Sequence, residues 1–70
     1  MTFQQIKELL SIERYKSVHK MIWDGFAIIT DWDGHRYKLV DGIDIADVTG
    51  LLHAILTGSD NTIYYHKYRI

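Results

Sequence analysis

Cysteine is missing from this chain of 70 residues, and so is proline. Lack of cysteine excludes a disulfide framework, a thiolate zinc site and a thiol nucleophile. A surplus of either charge is missing too: eight Lys and Arg stand against nine Asp and Glu, a formal net charge of -1. That balance gives no global electrostatic reason to bind nucleic acid or an anionic membrane. Long apolar runs are absent as well. The longest are Phe26 to Ile29 and the stretch from Leu51 to Leu56, which His53 interrupts. Both fall far short of the ~20 residues that span a bilayer. The opening residues, Met1 to Glu8, lack the basic and long apolar regions of a signal peptide. The expectation is a cytoplasmic protein with no cofactor and no membrane contact. No linker, repeat or low-complexity tract divides the chain, so residues 1–70 read as a single compact α+β domain.

What is present is the composition of a folded protein: 47% hydrophobic and 24% charged residues. A domain of this size hides only about 60% of its unfolded surface. Small scaffolds therefore lean on disulfides, a metal or a partner subunit. With disulfides excluded, a metal or a second copy gains weight as support, although many domains of this size fold alone.

The first element reads as a helix. Thr2-x-x-Gln5 is a capping-box pattern, and Met1 and Ile6 fit a hydrophobic staple. Phe3, Ile6, Leu9 and Leu10 share one face, and the helix should end near Ile12. Three strand-like stretches follow. Asp24-Gly25 separates His19–Trp23 from Phe26–Thr30, and Asp33-Gly34 precedes His35–Val40. Asp-Gly between apolar runs is a strong hairpin signal, because a type I′ turn needs positive φ at both central residues. A second helix starts at Asp44, a good N-cap, with Asp47 in its first turn and Gly58 as its C-terminal stop. Thr62 to Ile70 is rich in β-formers (Ile63, Tyr64, Tyr65, Tyr68) and reads as a strand. The predicted fold is an α+β two-layer sandwich of order α-β-β-β-α-β, an antiparallel three-stranded meander plus a C-terminal strand parallel to the third.

Two-residue loops in both hairpins would pair Trp23 with Phe26, Thr30 with Tyr37 and Ile28 with Leu39. One sheet face then carries Met21, Trp23, Phe26, Ile28, Trp32, Tyr37 and Leu39, the expected core. The other carries Lys20, Ile22, Ala27, Ile29, Asp31, Arg36, Lys38 and Val40. A three-residue second loop, with Gly34 as its left-handed residue, would shift the second pairing.

Four histidines (His19, His35, His53 and His66) lie on four different elements, without the spacing of a metal site. They read as surface or hydrogen-bonded side chains, and no metal is expected. Asp31 can pair across the sheet with Arg36, and Asp33 belongs to a turn. No nucleophile with a base and no phosphate-binding glycine loop is visible, so an enzyme is not expected. A His-dependent nuclease centred on His19 is the residual catalytic alternative.

Helix–strand–strand–strand–helix is similar to the element order of double-stranded-RNA-binding domains and of small RNA-cleaving toxins. The former carry a lysine cluster at the start of the second helix, where this chain has Asp44-Ile45-Ala46-Asp47. Acid there would repel a phosphate backbone. The toxins place a histidine after a glycine-serine pair, which Ser17-Val18-His19 matches only in part. No family is assigned on order alone.

Charge is nevertheless uneven. Arg14, Lys16 and Lys20 form one basic stretch, and His66, Lys67, Tyr68 and Arg69 a second. Cations interleaved with aromatics can stack on and neutralise a single strand of nucleic acid, although an ordinary solvated strand explains them too. Two other features suggest protein contacts. Ile22, Ala27 and Val40 in one row, followed by Lys20, Ile29 and Lys38 in the next, make an apolar row with a cationic rim. Ala46, Gly50 and Ala54 form a small-residue row that admits a close-packed helix, from this chain, from a partner or from a second copy. The leading expectation is a non-enzymatic protein-interaction module, a regulator or inhibitor of a larger protein or complex such as mobile elements encode, with a homodimer as an option. Its contact residues would be Lys20, Ile22, Ile29, Lys38 and Val40. Ile29→Asp, with Lys20 and Lys38 reversed, would abolish capture and leave the fold intact. A small nucleic-acid-binding protein is the alternative.

Overall fold

A computed structural model describes residues 1–70. Helix α1 spans Phe3–Leu10 and a short 3-10 turn spans Glu13–Tyr15. Strands β1 (His19–Ile22), β2 (Phe26–Thr30) and β3 (Arg36–Val40) follow, then helices α2 (Ile45–Thr57) and α3 (Thr62–Tyr68). The sheet is an antiparallel meander with strand order β1-β2-β3. The fold is α+β, with the helices on one face of the sheet.

Local chemistry accounts for most boundaries. The Thr2 hydroxyl accepts from the Gln5 amide at 3.2 Å, and the Gln5 side chain accepts from the Thr2 amide at 2.7 Å. This reciprocal pair satisfies two amides that a helix start leaves open. Asp41 adds a tertiary cap, its carboxylate accepting from the Phe3 amide at 2.7 Å. The helix stops at Leu10, two residues before the expected end, with Ser11 as C-cap. Helix α2 runs from the Asp44 cap, which accepts from the Ala46 amide at 2.8 Å, to a left-handed Gly58.

The C-terminal strand is replaced by a helix. Asn61 caps α3 by accepting from the Tyr64 amide at 3.2 Å. Tyr64, Tyr65 and Tyr68 then fall at i, i+1 and i+4 and pack together against the core. Their β-propensity yields to three tertiary partners. Tyr64 fills the notch over Gly50, Tyr65 lies against the Tyr37 ring at a centroid distance of 5.4 Å, and the Tyr68 hydroxyl donates to Asp47. In place of the predicted parallel pairing there is one bridge of the opposite direction, antiparallel, Arg69 beside Tyr37, with the Ile70 amide donating to the Arg36 carbonyl at 3.0 Å.

The first hairpin has its predicted register: the Trp23 amide donates to the Phe26 carbonyl at 2.9 Å, and Met21 faces Ile28. The second is shifted by one residue. Asp31 pairs with His35 across the three-residue loop Trp32-Asp33-Gly34, where Gly34 takes φ +88°. Ile29 therefore faces Tyr37, and Ala27 faces Leu39. A one-residue slip exchanges faces. The buried sheet residues are Ala27, Ile29, Tyr37 and Leu39, joined by Ile6, Leu10, Val48, Leu51, Leu52 and Ile55 from the helices. The small Ala27 side chain lets α1 lie close against β2. Of the expected aromatic core only Tyr37 is buried. Trp32 is 60% exposed and donates from Nε1 to the Ile55 carbonyl at 2.8 Å.

The small-residue row is filled from within the chain. A Cβ added at Gly50 would sit 2.5 Å from Tyr64 Cε2, and Ala54 is buried, whereas Ala46 is exposed. Gly50 is therefore explained by α3, with no second copy needed. Gly50→Ala should displace the Tyr64 ring and lower stability by about 1 kcal/mol, the scale of a small overpacking cost. Made in a Tyr64→Ala background, it should raise stability by roughly 0.5–1 kcal/mol through helix propensity. Urea denaturation of the four proteins of this cycle reads the reversal of sign.

Candidate protein-binding face

With the helices on the Ala27–Ile29 side, the opposite side of the sheet is open. Pairing partners share a face, so the register arranges it in three rows: His19, Thr30 and Arg36; Met21, Ile28 and Lys38; Trp23, Phe26 and Val40. Met21 is 38% exposed, Val40 43% and Trp23 46%, while Phe26 and Ile28 are half-buried by their neighbours. The Trp23 and Phe26 rings stack 5.1 Å apart at an interplanar angle of 18°. The Lys38 ammonium lies 4.8 Å from the Phe26 ring centroid. Such stacked and cation–π contacts contribute about 0.5–1 kcal/mol each and restrain these side chains.

The face is apolar at its centre and cationic along one side. Arg36 and Lys38 project from β3, and none of the nine positions holds Asp or Glu. Aromatic side chains, Met and Arg are the residues most enriched at protein interfaces. On this face Met21, Trp23 and Val40 are exposed beside half-buried Phe26 and Ile28, forming one apolar patch.

The predicted contact residues divide between two sides. Lys38 and Val40 lie on the open face. Ile29 is fully buried, because the slipped register places it under the helices against Tyr37. Lys20 shares that side, and its ammonium donates to the Tyr15 carbonyl at 2.8 Å. Burial lowers the Lys20 pKa. Ile22 sits at the sheet edge and is 44% exposed. Met21, Trp23, Phe26 and Ile28, expected in the core, lie on the open face instead. Alternation alone does not separate two apolar faces; the three-residue loop ending in Gly34, the alternative to a two-residue turn, decides between them.

Of the two basic clusters, Lys20, Lys67 and Arg69 make contacts within the molecule, while Arg14 and Lys16 stay on the exposed surface. Lys16 approaches Glu13 at 3.9 Å on the exposed 3-10 turn, next to Arg14. Lys67 donates to Asp47 at 2.8 Å, beside the Tyr68 hydroxyl on the same oxygen. The hydrogen bonds from Lys67 and Tyr68 hold the Asp47 carboxyl below the usual carboxylate range. Arg69 contacts His35 Nδ1, and with His66 it lines a polar hollow of about 250 Å³ that also includes Asp31, Asp60 and Tyr65.

Asp31 organises the turn above that hollow. One carboxylate oxygen accepts from the Asp33 and His35 amides, both at 2.9 Å, and the other accepts from the Tyr37 hydroxyl at 2.6 Å. Partial burial pushes its pKa up, but the Tyr37 hydroxyl and the two amides outweigh it and hold the carboxyl below its usual range. The predicted Asp31–Arg36 pair is replaced by this network. Burial, and then the Asp31 carboxylate, push the Tyr37 hydroxyl up. No helix is long and apolar enough to cross a membrane. Compared with known proteins, the chain matches no family model, no curated protein and no solved structure.

Proposed function

We propose that this protein is a binding module whose working surface is the open face of its sheet. Its partner is a protein presenting an apolar patch edged by carboxylates. The observation that carries this reading is the contiguity of Met21, Trp23, Phe26, Ile28 and Val40 on a face that no helix covers, flanked by Arg36 and Lys38. Burial of the apolar centre supplies affinity. The cations favour acidic partners and speed encounter. The aliphatic share of the face has no use in stacking nucleic acid bases, and the Asp47 carboxylate on Lys67 offsets one of the cations that the nucleic-acid alternative would use. A module of this kind regulates or inhibits by occupying a surface that its target needs.

The test is capture from native extract by immobilised wild-type protein beside three variants. Trp23→Ala should weaken capture by about thirtyfold, the scale of an interface hot spot of roughly 2 kcal/mol. Lys38→Glu should weaken it and remove most of its salt dependence. Ile63→Asp, on the exposed side of α3, should leave it unchanged. A captured protein indifferent to Trp23 and Lys38 would overturn the assignment. So would steeply salt-dependent binding of RNA or DNA that these face variants leave intact.

A further inference from the structure

The two edges of the sheet are finished differently. The outer edge of β3 is covered at Arg36 and Tyr37, through the Arg69 bridge and the Ile70 amide on the Arg36 carbonyl. The outer edge of β1 pairs with nothing. Because Trp23 and Phe26 are a hydrogen-bonded pair, alternation along the ladder directs the backbone groups of Lys20 and Ile22 away from β2. Two N–H and two C=O groups are thus presented in a row. Natural edges are blunted by proline, bulges or projecting lysines. Here β1 holds no proline, pairs with β2 without a bulge, and bends its single lysine back to Tyr15.

The side chains on this edge also lack cover on both sides at once. Met21 and Trp23 are exposed on the open face, while Ile22 is 44% exposed on the helix side. A protein docked flat on the open face would reach the first two and miss Ile22. A strand added to the edge covers all three.

We infer that β1 pairs antiparallel with β1 of a second copy, Lys20 opposite Ile22 and Met21 opposite its counterpart, joining two sheets into one of six strands. This register uses every outward backbone group of Lys20 and Ile22, four hydrogen bonds in all by the antiparallel pattern, about a central two-fold axis. It sets Met21 against Met21 and Trp23 beside His19 on the open face, and Ile22 beside the Lys20 stem on the other. No acidic or like-charged pair falls directly opposite. The two open faces become continuous, so the second copy contributes its own Met21 and His19 to each binding surface. The pairing does not depend on the identity of the partner protein.

Light scattering tests it at about 1 mM chain, a concentration suited to an interface below roughly 1,200 Å². Wild type should show twice the 8.2 kDa chain mass. Ile22→Pro removes one outward N–H and spares the bonds to β2, so it should be monomeric with an unchanged circular dichroism spectrum. Ile22→Lys places like charges opposite Lys20 and should also be monomeric, whereas Ile22→Glu should remain dimeric. A monomeric wild type overturns the pairing and leaves the partner-binding face standing. A dimer that survives both Ile22→Pro and Ile22→Lys overturns the edge, and a monomeric Ile22→Glu overturns the register.

Discussion

Ile29→Asp is expected to unfold this protein, while Ile28→Asp, one residue earlier, leaves it folded. Ile29 has no exposed surface and lies between β3 and the helices, against Tyr37. A carboxylate there loses its hydration without gaining a partner, at a cost of roughly 5 kcal/mol or more. That equals the whole stability of a small domain, about 5 kcal/mol at the low end. Ile28 faces the open side and is only half-buried. Its replacement forfeits partial burial and some strand propensity, about 1–2 kcal/mol. Circular dichroism and urea denaturation separate the two outcomes. If the sheet were covered on its other face, the two variants would exchange behaviour. Burial of Ile29 thus overturns the expectation that Ile29→Asp would leave the fold intact while abolishing capture.

Asp31→Ala carries the second large effect. One side chain satisfies two loop amides and the buried Tyr37 hydroxyl. Its loss leaves that hydroxyl without an acceptor and frees the Trp32-Asp33-Gly34 loop that sets the β2–β3 register. Hydrogen bonds to a charged group contribute about 1.5–3 kcal/mol, and stranding a buried donor costs a comparable amount, so a loss of about 3 kcal/mol is expected. At ~4–8 °C per kcal/mol for a domain of this size, the melting temperature should fall by roughly 12–24 °C. Tyr37→Phe should cost less, about 1 kcal/mol, because it removes the donor along with the bond.

The same network predicts an acid dependence with a definite sign. The folded pKa of Asp31 lies below its unfolded value. Its contribution is therefore complete above the unfolded pKa, about 3.9, and is lost as pH falls through the folded value. Wild type should lose melting temperature over that range, and Asp31→Asn should lose less, although it starts from a lower value. Thermal melts from pH 6 downward, at about one-unit steps, read the difference in slope. Equal slopes would show that the carboxylate is not held by these partners.

How far the sequence reached is clearest from single residues. Thr2, Gln5, Asp44 and Gly58 act locally, through bonds to amides and carbonyls within a few positions, and each formed the cap expected of it. Trp23 and Phe26 flank a two-residue turn and paired as their spacing required. The failures lie where distant partners decide. Tyr64, Tyr65 and Tyr68 suit a strand by propensity, but Gly50, Tyr37 and Asp47 each receive one of them, and only a helix presents them together. The single extra loop residue at Trp32-Asp33-Gly34 moves Ile29 to the core and leaves Ile28 outside, so Met21, Trp23 and Phe26 lie on the open face rather than in the interior. Of the predicted contact residues, Lys38 and Val40 belong to the face proposed here. The aromatic residues that complete it look like core in any sequence, because burial and binding select the same side chains.

The most direct measurement is the amide and methyl chemical-shift footprint of isotope-labelled protein, titrated with the partner it captures. Shifts concentrated on Met21, Trp23, Phe26, Ile28, Lys38 and Val40, with Ile45 and Ile63 on the helical side unmoved, are the predicted result. A footprint centred on α1, α2 or α3 with the sheet face silent would contradict the assignment.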